Sequence, residues 1–140
     1  MKECQARLET LCCLFGLPVP ILTFHHNRRG GWYRYKHVYR RSRETGFRKL
    51  TGTKQRRIFI GGKSRIGDRG WKAVLLHEFA HYLCHSRAGF RPGRSGDHGP
   101  AFRRALTDVA TEWYGDPSLY PWAGEYKRLA KLGPCPPEDC

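Results

Sequence analysis

Acidic residues are scarce in this chain. Twelve Asp and Glu stand against 26 Lys and Arg in 140 residues, a formal charge of +14. A field of that sign draws polyanions toward the surface, and nucleic acid is the expected partner for it, the alternative being a solvated basic surface that only aids solubility. Long apolar runs are missing too. The most apolar stretch, Leu11 to Phe24, is broken by Gly16, Pro18 and Pro20 and is shorter than the roughly 20 residues a membrane-spanning helix takes. It follows Glu3 and Glu9 and has no small-residue cleavage site, so it does not read as a secretory leader. There is no internal repeat and no low-complexity tract. The six Cys, at positions 4, 12, 13, 84, 135 and 140, lack regular spacing. A chain of this length buries about two thirds of its unfolded surface and needs no covalent staples. The expectation is therefore a soluble protein with reduced thiols and no membrane contact, placed in the cytoplasm, nucleoid-associated or, in a eukaryote, nuclear.

What is present is a foldable core. Hydrophobic residues make up 39% of the chain, with four Trp, seven Tyr and seven Phe, which is too aromatic for a disordered segment. Leu8, Leu11, Cys12 and Phe15 recur at helical spacing and Gly16 and Pro18 stop the pattern, which predicts an N-terminal helix over residues 3–15. Val19 to Phe24 reads as a strand. A turn over Asn27 to Gly31 followed by Trp32, Tyr33 and Tyr35 predicts a hairpin with it. Residues 38–57 are rich in Arg and Lys and poor in apolar positions, so a twisted edge strand or exposed basic loop is expected there. Arg57 to Ile60 predicts a short strand closed by Gly61 and Gly62.

Asp68 is placed to cap a helix over about 69–86. A Gly-, Pro- and Arg-rich loop follows over 87–97. Pro100 suits the first turn of a further helix carrying Phe102, Leu106, Val109 and Trp113, and a last helix is expected from Asp116-Pro117 to about Leu132. The order of helix, short strands and then helices gives an α+β class.

The chemistry lies in Leu75-Leu76-His77-Glu78-Phe79-Ala80-His81-Tyr82-Leu83, an H-E-x-x-H pattern inside a helical stretch. This composition yields the pattern by chance in about 2% of such chains. At 100° per residue, His77 and His81 fall about 40° apart one turn along, and Glu78 projects about 60° from His81 on the same side. Two imidazoles can thus chelate one ion, with the carboxylate within reach of water on it. Leu76, Phe79 and Leu83 gather on the opposite side, for burial.

Zinc suits imidazole donors and in catalytic sites takes three protein ligands and a water. The best third ligand is His98, in Gly96-Asp97-His98-Gly99-Pro100. The alternatives are a surface role for His98 and a carboxylate ligand from Asp97, Asp108 or Glu112. His85 lies two turns from His77, about 12 Å by helical rise, too far to share the ion. Arg87 stands where a metzincin pattern would need His, which excludes that class.

Leu75 to Leu83 followed by Asp97-His98-Gly99-Pro100-Ala101-Phe102 resembles the SprT-like (Spartan/SprT) zinc metallopeptidases over roughly residues 8–113, with strong motifs in 75–106. The resemblance implies a small zincin-like α+β domain over 1–133. It would comprise an N-terminal helix, a short antiparallel-type sheet, the zinc helix and two C-terminal helices, before a flexible Pro/Cys tail over 134–140. It implies Zn2+ held by His77, His81 and His98, Glu78 as the catalytic base, a protein substrate, and work on DNA-associated proteins. The family's frequent C-terminal zinc ribbon is not matched: Cys135 and Cys140 are half a ribbon and cannot close a tetrahedral site.

Two other functions fit the residues. One is a zinc hydrolase acting on a non-peptide amide. The other is a nucleic-acid-binding domain with a structural zinc, using the basic stretch Arg28 to Arg57, in which Trp32, Tyr33 and Tyr35 either stack on unpaired bases or fill the sheet core. As oxyanion donor, Tyr82, Tyr114, Tyr120 and Arg94 are equal candidates.

Overall fold

The computed structural model describes residues 2–28, 30–61, 70–90 and 98–120. Helix α1 (Lys2–Phe15) buries Cys4, Leu8, Leu11 and Cys12 on one side. Its end is a glycine stop: Gly16 takes φ 65°, the Gly16 amide donates to the Cys13 carbonyl and the Leu17 amide to that of Cys12. Burial pushes the Cys4 and Cys12 thiols up to about 12, so both stay protonated and pack as small apolar groups. Cys4, Cys12, Cys13 and Cys84 are free thiols; Cys135 and Cys140 lie outside the described residues.

Three strands form one sheet, β1 (Ile21–His25), β2 (Gly31–Arg41) and β3 (Arg48–Gly61), in the order β1-β3-β2. This overturns the expected β1–β2 hairpin. β1 pairs in parallel with the last five residues of β3, Ile21 opposite Arg57 through His25 opposite Gly61. β2 runs antiparallel along the whole of β3, from Gly31 opposite Ile60 to Arg41 opposite Arg48. The sheet is therefore mixed, not purely antiparallel. The physical reason lies in Ile58 and Ile60, which are fully buried: the strand carrying them takes the centre, with a partner on each edge. The basic stretch 38–57 is the outer part of a long two-stranded ribbon continuous with β3, rather than a separate loop.

Helix α2 (Trp71–Arg87) starts two residues later than expected, after Gly70 and without a side-chain cap; Asp68 lies outside the described residues. Ala73 through Leu83 are buried without interruption. This helix is wrapped on every side, and the apolar back read from Leu76, Phe79 and Leu83 is only part of its burial. Tyr33, Ile58 and Ile60 of the sheet share a core with it, as do α1 and helix α3 (Pro100–Tyr114), which contributes Phe102, Ala105, Leu106, Val109 and Ala110. The Tyr82 hydroxyl donates to the Pro18 carbonyl at 2.5 Å and Phe15 packs on Phe79 with ring centres 5.8 Å apart, which ties α1 and its exit to α2. Beyond α3 a 3₁₀ turn spans Pro117–Leu119, where the last helix is expected to begin; the rest of that expectation and the tail, 121–140, fall outside the described residues. Among the described residues no helix is long and apolar enough to cross a membrane.

Ile58→Ala, which opens a cavity beneath the sheet, should lower unfolding free energy by about 3 kcal/mol. Ile21→Ala, at a position 46% exposed, should cost under about 1 kcal/mol. Urea denaturation of both variants checks the pair, and equal losses would contradict the placement of β3 at the centre.

Candidate metal centre

His77 and His81 lie one turn apart on α2 and His98 lies two residues before the first residue of α3, so packing of the two helices decides whether the three meet. They do. The Nε2 atoms of His77 and His81 are 3.2 Å apart and those of His81 and His98 are 3.1 Å apart. The ligand atoms of all three lie within 4.8 Å of one another, a group that could hold a metal ion. An imidazole nitrogen has one in-plane site, either a hydrogen or a lone pair. His81 Nε2 cannot serve two neighbouring Nε2 atoms with that single site, whereas one cation accepts a lone pair from each ring. Nitrogens held about 2.0–2.1 Å from one ion at tetrahedral angles stand about 3.3 Å apart, close to the separations here. The donor set thus fits a metal.

His77 and His81 are buried and His98 is exposed, so the cluster sits under the surface with one side open. Phe102, one turn into α3, floors it: its ring centre is 5.1 Å from that of His77, 4.3 Å from His81 and 4.7 Å from His98. An apolar floor fixes ring orientation without competing for the nitrogens. In the sequence Phe102 counted as helix core and as part of the segment that carries the family resemblance, with no role at the site; its place at the first turn after His98 was the available signal.

Glu78 is 5% exposed and leans on the start of β2. A Cβ placed on Gly31 would come within 2.5 Å of Val74 Cγ1, 2.7 Å of the Phe59 carbonyl oxygen and 3.0 Å of Glu78 Cγ. Only glycine lets the strand approach the metal helix this closely, so Gly31 sets the space in which the Glu78 side chain lies. Sequence reading treated Gly31 as a turn residue and missed this.

The chain matches no protein-family model, no curated protein and no solved structure. The remaining assignments rest on the site itself. Asp108, an alternative ligand, is taken by an ion pair with Arg87 at 2.7 Å that joins the end of α2 to α3. Glu112 is exposed and outside the cluster, and Asp97 and Arg94 lie outside the described residues. His85 is 2% exposed and bonded through Nδ1 to the Tyr33 hydroxyl at 2.8 Å, and it is not part of the triad's group. Its ring stacks on Tyr35 at 4.0 Å. Of the oxyanion candidates, Tyr82 is fully buried and bonded to Pro18, and Tyr120 is buried with its hydroxyl on the Ala73 carbonyl at 3.4 Å. Burial also pushes the Tyr82 hydroxyl above its ordinary pKa. Neither faces an open site; Tyr114 remains, half-buried beside Trp113.

Adding a divalent first-row metal to metal-free protein should raise the thermal midpoint, since an ion that binds only the folded state stabilises by mass action. His98→Ala should lower metal affinity by about 100-fold, because two imidazoles on one helix cannot complete the set. Metal-titrated calorimetry checks this, and parent-like affinity in the variant would remove His98 from the site.

Proposed function

We propose that the protein is a zinc-dependent metallopeptidase of SprT-like type, cleaving peptide bonds in nucleic-acid-associated proteins. The observation that carries this reading is the convergence of three imidazole nitrogens, two from α2 and one from the residues leading into α3, beside a buried Glu78. Neutral imidazole donors in a group of three suit zinc, with a position left for water. Among the described residues no fourth His, Cys or carboxylate joins the group, which favours an open catalytic site over a closed structural one.

A zinc ion bound there would polarise the attacking water and the scissile carbonyl. Glu78, one residue from His77 on the buried helix, takes the proton as the water oxygen adds to the carbonyl carbon. It then hands that proton to the departing amine as the C–N bond breaks. His77, His81 and His98 hold the ion, and the Phe102 ring keeps the three imidazoles oriented. Gly31 serves as a positioning residue, leaving Glu78 its room. The nucleic-acid part of the proposal rests on the charge of +14. For Trp32, Tyr33 and Tyr35, the packing supports the sheet-core reading over base stacking. Tyr33 and Tyr35 pack toward His85, and Trp32 stacks on Phe59 with ring centres 4.8 Å apart.

Glu78→Gln should retain metal while hydrolysis of an unfolded protein substrate falls by about 10²–10⁴-fold. Turnover in a metal-loaded Gln variant close to that of the parent would end the proposal.

Gly31→Ala should lower the thermal midpoint, since the added methyl meets Val74 and the Phe59 carbonyl first, and in the folded fraction it should lower kcat by about 10²-fold with metal retained, since it also presses on Glu78 and not on the imidazoles. Steady-state kinetics with metal analysis checks it. An unchanged kcat in a folded variant would separate Gly31 from Glu78.

A further inference from the structure

The β2–β3 ribbon contains an arrangement that works against its own stability. Arg40 lies directly opposite Lys49 and Arg41 directly opposite Arg48. Like charges facing each other across an antiparallel pair are destabilising. A third such pair, Arg34 opposite Arg57, is accommodated by aromatic faces: Arg34 sits 5.7 Å from the Trp32 ring centre and Arg57 5.7 Å from that of Phe59. Among the described residues the outer two pairs have no such aromatic contact. Among the described residues no carboxylate forms an ion pair with Arg40, Arg41, Arg43, Arg48 or Lys49, and the single acidic residue between 34 and 57 is the exposed Glu44.

Four of these cations, Arg40, Arg41, Arg43 and Lys49, line with Ser42 a cleft of about 540 Å³, and Arg48 lies beside it, opposite Arg41. The turn beneath it is held by its own hydrogen bonds. Ser42 Oγ accepts from the Glu44 and Thr45 amides, and the Ser42 amide donates to the Phe47 carbonyl at 2.8 Å. The charges are thus presented on a fixed frame. At the same tip Phe47 is 78% exposed and Tyr39 51% exposed, the two most exposed aromatics among the described residues.

We propose that the ribbon tip is a binding site for the phosphodiester backbone of nucleic acid, gripped by these five cations, with Phe47 presented to stack on an unpaired base. Phosphates supply the missing counter-charge for both like-charge pairs, and a base supplies the missing partner for an aromatic ring left in water. The site refines the nucleic-acid contact of the proposed function and rests on that reading for the class of partner.

The test is binding of a labelled single-stranded oligonucleotide by fluorescence anisotropy at several salt concentrations, using the full chain. Lys49→Glu turns one repulsive pair into an attractive one. It should weaken binding by about 10-fold or more and reduce the salt slope by at least ~1, with metal content unchanged and a thermal midpoint equal to or above that of the parent. Arg41→Gln combined with Arg48→Gln should weaken binding likewise without a fall in midpoint, as a check independent of the introduced carboxylate. Phe47→Ala should weaken oligonucleotide binding by about 10-fold while leaving heparin, a polyanion without bases, unaffected.

Binding within twofold of the parent in both charge variants would overturn the tip assignment, and so would competition by polyglutamate as effective as by oligonucleotide. Equal effects of Phe47→Ala on heparin and oligonucleotide would overturn the stacking role. If the parent itself binds no oligonucleotide, the nucleic-acid part of the proposed function fails. If the parent binds and the tip variants bind equally well, only the tip assignment fails.

Discussion

Two imidazoles and a carboxylate sit on a helix that the fold encloses on every side, and most of the architecture follows from what that enclosure demands. Removing His77, Glu78 and His81 from water costs free energy unless each polar group finds a partner or an ion. The chain meets this by bringing a third imidazole from the start of α3 onto the same point and by laying Phe102 beneath the three rings. The helix that bears the ionisable groups is also the centre of the hydrophobic core, so the position of the nitrogens is fixed by the same contacts that hold the protein folded. Sites mounted on rigid elements keep their geometry better than sites on loops. Here two of the three nitrogens come from such an element, and the third comes from His98, two residues before α3.

The three clustered histidines were legible because their signal is local. A spacing of four on a helix, the intervening Glu and a His just before a Pro-started helix are patterns within 24 residues, and the structure brings His77, His81 and His98 together. The α+β class, the end of α1 at Gly16 and the helix after Pro100 were legible for the same reason, since stop and start residues act within one turn. Strand order was not. A turn over Asn27 to Gly31 joins β1 to β2 in sequence, yet β3 lies between them, because burial of Ile58 and Ile60 is decided by packing against α2 and leaves no mark at the turn. The close approach at Gly31 and the Tyr33–His85 bond were hidden for a similar reason: each links residues more than 40 positions apart.

The sheet also divides the aromatic residues into two uses that composition cannot separate. Tyr33 and Tyr35 face α2 and close around His85 with Phe90, a residue held at φ 56° with the Arg56 guanidinium 3.7 Å from its ring centre. A bulky side chain in the left-handed region is costly, and the sandwich between Arg56 and His85 offsets that cost where the chain leaves the metal helix. Trp32 and Phe59 stack on the other face under Arg28, Arg34 and Arg57. The basic residues near the body of the sheet are thereby absorbed into structure, and those at the far end of the ribbon are not.

The pairing of β1 with β3 carries a consequence for how the chain comes together. β2 and β3 are joined by a six-residue connection, whereas Ile21 meets Arg57 across 36 positions. Closing the longer loop costs more chain entropy than closing the short one, so the β1 pairing is the costlier of the two to form. Without β1, the Arg57–Gly61 edge of β3 would offer open backbone amides and carbonyls beside two apolar isoleucines, a surface another chain could extend. The small five-residue strand thus covers a vulnerable edge, out of proportion to the little it adds to the core.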